Sequence, residues 1–257
     1  AGISILMKAA KVNKGFIGIE NNKPDAIKLM TKIASQYAGI TVIPLKVKYP
    51  QGGEKQLINA IIGRQVSSGA LPVSVGAIVQ NVATAFAVYQ AVQKNKPLFE
   101  RVVSVTGKSL SNPSNFMVRL GTPIELLIQA CGGLPEDASK IIGGGPMMGK
   151  ALINTDIPTT KGSSGILLMN RKDGKRSEIK NCVRCAKCVN ACPMGLEPYL
   201  LSALSEKGDF ERMEKENIMD CMECGCCQFT CPACRPLLDY CRLGKSKVGA
   251  IIRTRKN

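Results

Sequence analysis

Apolar positions in the first hundred residues come in two rhythms. Phe16 to Glu20, the β-branched stretch Ile40 to Val47, and Val73 to Val79 are short apolar runs that read as strands. Between them the spacing turns helical. Ile27, Met30, Ile33 and Ala34 share one face of a helix predicted from Pro24, with Asp25 in its first turn, to about Tyr37. Leu57, Ile58, Ile61 and Ile62 mark a second helix, preceded by the turn Gly52-Gly53 and ended by Gly63, and Val82 to Gln93 a third. Strands alternating with helices predict a parallel sheet with helices packed on it. The opening Ala1-Gly2-Ile3-Ser4-Ile5-Leu6-Met7-Lys8 has the pattern of a helix interior, so the chain is expected to be a fragment of a longer protein.

From Arg101 to Met169 the rhythm changes. Val102 to Thr106 and Phe116 to Leu120 read as strands joined by the polar turn Ser111-Asn112-Pro113-Ser114. Thr122-Pro123-Ile124-Glu125 predicts a helix start with Thr122 as cap, Pro123 at the first position and Glu125 completing a capping box; Gly132-Gly133 ends that helix. Ile141-Ile142 and Ile166 to Met169 are further strand candidates. One helix laid across a small sheet, a β-grasp-like module, accommodates this pattern. Arg171 to Lys180 reads as a charged linker. Pro198 to Glu206, stopped by Gly208, then Asp209 to Glu216 and a basic tail from Arg235 to Arg255 predict a mainly helical last segment.

That last segment carries the chemistry. Cys182, Cys185, Cys188 and Cys192, followed by Pro193, repeat as Cys221, Cys224, Cys227 and Cys231, followed by Pro232. C-x2-C-x2-C-x3-C-P is the spacing of a bacterial [4Fe–4S] site, in which the fourth cysteine serves the other run's cluster. The expected ligand sets are therefore Cys182, Cys185, Cys188 with Cys231, and Cys221, Cys224, Cys227 with Cys192. A zinc ribbon would leave the third cysteine and the proline of each run unexplained, and a disulfide framework suits a short secreted chain rather than 257 residues. The other four cysteines stand outside the frame. Cys131, at a helix end, reads as a buried small hydrophobe, Cys226 as a non-ligand, and Cys234 and Cys241 as incidental or, if a cluster rearranges, as a substitute ligand.

The formal charge is +16, and two clusters with their thiolates would bring it to about +12. The basic residues sit in patches: Lys8, Lys11 and Lys14; Lys94, Lys96, Arg101 and Lys108; Arg171, Lys172, Lys175, Arg176 and Lys180; and Lys245, Lys247, Arg253, Arg255 and Lys256. Such a field suits an acidic partner such as a ferredoxin, or an anionic membrane face; a generally solvated basic surface is the plainer alternative. Nucleic acid is not expected, because the chain has no Trp and no aromatic-plus-basic stripe for stacking. Without histidine there is no Ser/His or Cys/His dyad and no Rieske-type ligation. No apolar stretch approaches the roughly 18 residues of a spanning helix. The cysteine runs call for a reducing compartment.

Three stretches carry a family likeness: Tyr49-Pro50-Gln51-Gly52-Gly53-Glu54-Lys55-Gln56-Leu57-Ile58, Gly76-Ala77-Ile78-Val79-Gln80-Asn81-Val82-Ala83-Thr84-Ala85, and Ile142-Gly143-Gly144-Gly145-Pro146-Met147-Met148-Gly149. With the double cysteine run they closely resemble the C-subunit family of Rnf complexes, membrane-associated ferredoxin:NAD oxidoreductases that pump Na⁺ or H⁺. The resemblance implies an α/β plus α+β multidomain fold. Its parts would be a partial parallel α/β flavin/NADH-type domain over 1–100, a β-grasp (SLBB-like) module over 101–170, and a mainly helical dicluster ferredoxin domain over 171–257. It also implies two [4Fe–4S] clusters, FMN, NADH as substrate, partner subunits in the membrane, and a peripheral place on its cytoplasmic face. Gly52, Gly53, Glu54 and Lys55 would line the flavin from one side, and Val79, Gln80, Asn81 and Thr84 would reach it from the other. Paired glycines and helix-start amides suit that role; on the residues alone Glu54 reads as a first-turn residue complementing its helix dipole. The family's glycine-rich flavin and nucleotide loop has no counterpart between Ala1 and Glu20, so half a flavin site at best is expected. The glycine run at 143–149 matches neither G-x-G-x-x-G nor a P-loop, and reads as a structural turn. The competing family reading is a soluble flavin and iron–sulfur reductase subunit, similar to a cobalamin reductase or a proline-reductase electron donor.

Overall fold

The computed structural model describes residues 1–256, without the side chain of Lys256. The chain divides into two compact units, Ala1–Leu98 and Phe99 onward. No helix of the described residues is long and apolar enough to cross a membrane.

The first unit is an α/β layer. Its helices are α1 (Gly2–Ala10), α2 (Pro24–Ala34), α3 (Glu54–Ile62) and α4 (Val82–Lys94), and its strands β1 (Gly15–Glu20) and β2 (Ile40–Leu45). β1 and β2 are parallel, with Gly15 opposite Ile40 and Glu20 opposite Leu45. Gly2 lets α1 approach α4 closely: a Cβ there would lie 2.0 Å from the Ala85 carbonyl oxygen. The strand expected over Val73–Val79 does not form. Pro72–Val75 is a 3-10 turn, closed by Gly76 in the left-handed region (φ 67°), and the residues after it are irregular up to α4. Pro72 presets the turn and Gly76 accepts its exit geometry, which outweighs the β preference of two valines.

The second unit begins with a five-stranded sheet. Its strands are β3 (Glu100–Gly107), β4 (Ser114–Arg119), β5 (Ala138–Gly143), β6 (Lys150–Ala151) and β7 (Gly165–Asn170), in the order β4-β3-β7-β5-β6. Only β3 and β7 pair in parallel. The helix α5 (Ile124–Ala130) packs on this sheet, burying Ile124, Leu127 and Ile128 against Val103, Val105 and Leu168. Each such side chain contributes about 1.5–3 kcal/mol on leaving water. Cys131 lies in this core, fully buried, and burial pushes its thiol above the ordinary value.

The capping box expected at Thr122 is absent. The helix starts one residue later, and its first amides bond outward, Ile124 N to the Ile157 carbonyl and Glu125 N to that of Thr155. Those two donors have found a distant segment of backbone, so neither needs a side-chain cap. Glu125 instead accepts from Gln129 Nε2 one turn on. The glycine run at 143–149 is the connection from β5 to β6, tied by Gly149 N to the Gly145 carbonyl.

The rest of the unit is helical. The expected linker begins as a short helix, α6 (Arg171–Gly174), whose cap Asn170 accepts from Asp173 N. Then come α7 (Lys187–Asn190), α8 (Pro198–Lys207), α9 (Phe210–Lys215), α10 (Cys226–Phe229) and α11 (Leu237–Lys256). Gly208 ends α8 in the left-handed region and Asp209 caps α9, its carboxylate accepting from Arg212 N. Leu201, Leu204, Met213, Ile218 and Val248 form the core that clamps α8, α9 and α11 together.

Candidate metal centre

The two cysteine runs follow the same backbone path. The residue before each second cysteine, Arg184 or Glu223, takes the left-handed conformation (φ 53° and 58°), and so do Ala186 and Gly225 two residues on (φ 57° and 81°). Each run then enters a single helical turn, α7 or α10. Beyond the cysteines, Gly195 and Cys234 repeat the left-handed bend (φ 67° and 52°). Non-glycine residues held there cost roughly 1–2 kcal/mol each. Bearing that strain at matching places folds both runs into matching loops.

The second loop walls a cavity. Cys221, Cys224 and Cys227 line it, and so does Cys192 from the end of the first run; Leu196, Leu201 and Leu238 supply apolar wall. A fifth thiol, Cys241 of α11, lies on the same cavity and is 2% exposed. Burial pushes the Cys227 thiol up to about 12, with the Cys221 thiol adding to it. Cys226 is not among the lining residues, and burial and the neighbouring Cys224 raise it to about 11. Cys221 goes the other way, lowered to about 7 by a hydrogen bond with Cys241 against the pull of its own burial. From the sequence Cys241 reads as incidental or a substitute ligand; the structure places it on the cavity. The usable signal was its helical phase, four residues after the buried Leu237 and three after Leu238.

The first set is more open. Cys182 and Cys185 are exposed, whereas Cys188 and Cys231 are partly buried. Cys231 is close enough to Cys188 for its charge to raise the Cys188 thiol, though burial is the larger cause and the Tyr199 amide opposes it. A backbone bond from Lys180 N to the Ala233 carbonyl, 3.0 Å, ties the approach to Cys182 to the exit from Cys231. Thus the structure brings Cys192 to the second run, and Cys231 to Cys188 of the first. Among the described residues no three Cys, Asp or Glu side chains close on a point that would hold one metal ion. A cubane asks for no such point, because its four thiolates bind four different irons. Four soft thiols on one apolar-walled cavity therefore fit the cluster rather than a lone cation.

Positive side chains near the second loop are already engaged. Arg242 Nε bonds Glu223 at 3.2 Å, and its Nη2 bonds the Met148 carbonyl of the β5–β6 connection at 2.8 Å. Lys245 bonds the Cys221 carbonyl and lies 3.5 Å from Glu223. Arg235 pairs with Glu206 at 2.6 Å. Arg184 and Lys187 are exposed on the first loop.

In the first unit, Gly53 is the cap of α3, with Glu54 and Lys55 in its first turn. Lys55 Nζ donates to the Ser67 carbonyl at 3.3 Å. Asn81 caps α4 by accepting from Ala83 N at 2.9 Å, with Thr84 one turn in and Val79 and Gln80 on the irregular approach. Gly52 lies in the turn before α3, and a Cβ there would meet nothing within 4 Å. These residues thus present two helix starts and an uncrowded glycine turn, which fit an anionic cofactor in part.

Family models match the chain in three places: a Nuo51 FMN-binding domain over residues 1–90, an SLBB domain over 102–151 and a 4Fe-4S dicluster domain over 175–232. Among curated proteins it is 48% identical over 248 residues to the C subunit of the proton-translocating ferredoxin:NAD(+) oxidoreductase complex of Clostridium ljungdahlii, covering 96% of this chain and 54% of that protein. It is 42% identical over 247 residues to the Na(+)-translocating counterpart of Acetobacterium woodii, covering 96% and 56%. It is also 39% identical over 222 residues to the C subunit of the ion-translocating oxidoreductase complex of Rhodobacter capsulatus, covering 85% and 42%. The chain spans about half the length of the curated relatives it matches. Among solved structures, a chain of an NAD+-reducing [NiFe]-hydrogenase in the H2-reduced state matches in fold, with TM-score 0.61 at 15% identity, over 96% of this chain and 51% of that one.

Proposed function

This chain belongs to the C-subunit family of ion-translocating ferredoxin:NAD(+) oxidoreductases, and on that premise we propose that its whole protein relays electrons between NADH and membrane-bound partner subunits. The relay would run through FMN and two [4Fe–4S] clusters and be coupled to Na⁺ or H⁺ transport. When bound, the flavin exchanges electron pairs with a nicotinamide, and the clusters take and give single electrons. Cys182, Cys185 and Cys188 with Cys231 would hold one cluster, and Cys221, Cys224 and Cys227 with Cys192 the other. The modules doing this are 1–100, 101–170 and 171–257.

The protein's own residues do the rest. Thiolates traded between the two runs fix the clusters to one another, and the apolar wall around Cys224 excludes water from one of them. Gly52, Gly53, Glu54 and Lys55 at α3, with Val79, Gln80, Asn81 and Thr84 at α4, offer amides to part of a flavin site. The basic patches would seat the protein on the cytoplasmic face of the membrane or receive an acidic ferredoxin.

The observation that carries this reading is the arrival of Cys192 on the cavity of the second run. Iron and sulfide analysis after purification without oxygen tests it, together with spectra of the reduced protein. About eight irons and two interacting paramagnetic centres are expected. Stoichiometric zinc, or four or fewer irons, would overturn it.

A further inference from the structure

The repeat in the second unit extends past the cysteines. Cys221 follows Cys182 by 39 residues, and α11 begins at Leu237, the same 39 residues after Pro198 begins α8. The same offset pairs Ser202 of α8 with Cys241 of α11. Both are buried, 1% and 2% exposed. Cys241 lines the second cavity and is hydrogen-bonded to the Cys221 thiol. Ser202 Oγ is buried with no hydrogen-bond partner in the protein.

A buried hydroxyl left unpaired is costly, so its place in a core asks for a partner. Its counterpart in the repeat shows what such a partner can be. We propose that the helix after each cysteine run supplies one hydrogen-bond donor that is not a ligand: the Cys241 thiol to Cys221 Sγ at one cluster, and the Ser202 hydroxyl to a sulfur of the other. This rests on the two-cluster reading above.

The direction of the known bond agrees with the assignment. A cysteine that holds iron does so as a thiolate and has no proton to give, so between Cys221 and Cys241, which line the same cavity, Cys241 is the donor. Hydrogen bonds to cluster sulfurs stabilise the more negative, reduced state and so raise the reduction potential. A purely space-filling role for Cys241 and Ser202 predicts no such effect.

The experiment uses the whole protein, purified without oxygen, as parent, Cys241→Ala, Cys241→Ser and Ser202→Ala. Iron is counted first, and both midpoints are then read by redox titration under EPR. Cys241→Ala should retain about eight irons and lower one midpoint by about 59 mV, a tenfold change in a one-electron equilibrium. Cys241→Ser, which keeps a donor of similar size, should stay nearer the parent. Ser202→Ala should lower the other midpoint. Unmoved midpoints with full iron, or both variants moving the same one, would overturn the proposal. So would the loss of half the iron in Cys241→Ala, which would make Cys241 a ligand. A parent without iron would instead refute the cluster reading itself.

Discussion

The two cysteine runs share a backbone path and differ in what surrounds it. Cys182 and Cys185 are exposed, while Cys224 is 7% exposed on an apolar cavity. The cause lies in the flanks. The first run is approached along an exposed, irregular stretch from Lys175. A 3-10 turn, Ile218–Asp220, whose Ile218 is fully buried, leads into the second, and α11 then returns Leu238 and Cys241 onto it. Spacing thus sets the expected ligation, while the neighbouring helices determine the dielectric around it. Since exposure is one of the factors that sets cluster potential, two runs with one spacing need not be two equal stations.

The largest test exchanges the traded ligands. Cys192→Ala is expected to remove about half of the roughly eight irons and to abolish the signal of the buried cluster, not of its own run; Cys231→Ala should do the reverse. If each variant lost its own run's cluster, the interleaved assignment would be wrong. A chelator challenge comes next. The open set should lose iron first, so that when about half remains the surviving EPR signal is the one that Cys192→Ala eliminates.

The repeat also matches Ser205 of α8 with Gly244 of α11, and only the first has room for a side chain. A Cβ at Gly244 would lie 2.1 Å from Met213 Cε, so Gly244→Ala should destabilise by about 1–3 kcal/mol in urea titration. The smallest effects are at the matched bends. Gly225→Ala places a Cβ at φ 81°, 3.0 Å from the Met147 carbonyl oxygen, and should cost about 1–2 kcal/mol. Ala186→Gly releases an existing left-handed alanine and should be neutral or gain up to about 1 kcal/mol by the same measurement. Equal responses at the two bends would mean that their surroundings matter less than the comparison implies.

Much of this is legible in the sequence. The double cysteine spacing marked both loops, and Gly63, Gly208 and Pro24 marked helix ends where they fall. What escaped depends on contacts between distant residues. The amides of Ile124 and Glu125 are satisfied by carbonyls some thirty residues on, at Ile157 and Thr155, so a local capping signal misled. Val73 and Val75 have strand propensity, yet Pro72 and Gly76 govern their backbone. Cys241 meets Cys221 only because α11 folds back over the loop, and nothing adjacent to either residue announces that meeting.

The bend at 143–149 gives the β-grasp sheet a hold on the second cysteine loop. Its Met148 carbonyl receives Arg242, which also holds Glu223 between two of the cysteines, and its Met147 carbonyl rests over Gly225. Strands and iron loop are therefore geared to each other. A graft that reshaped this bend should therefore shift the midpoint of the cluster proposed for that loop.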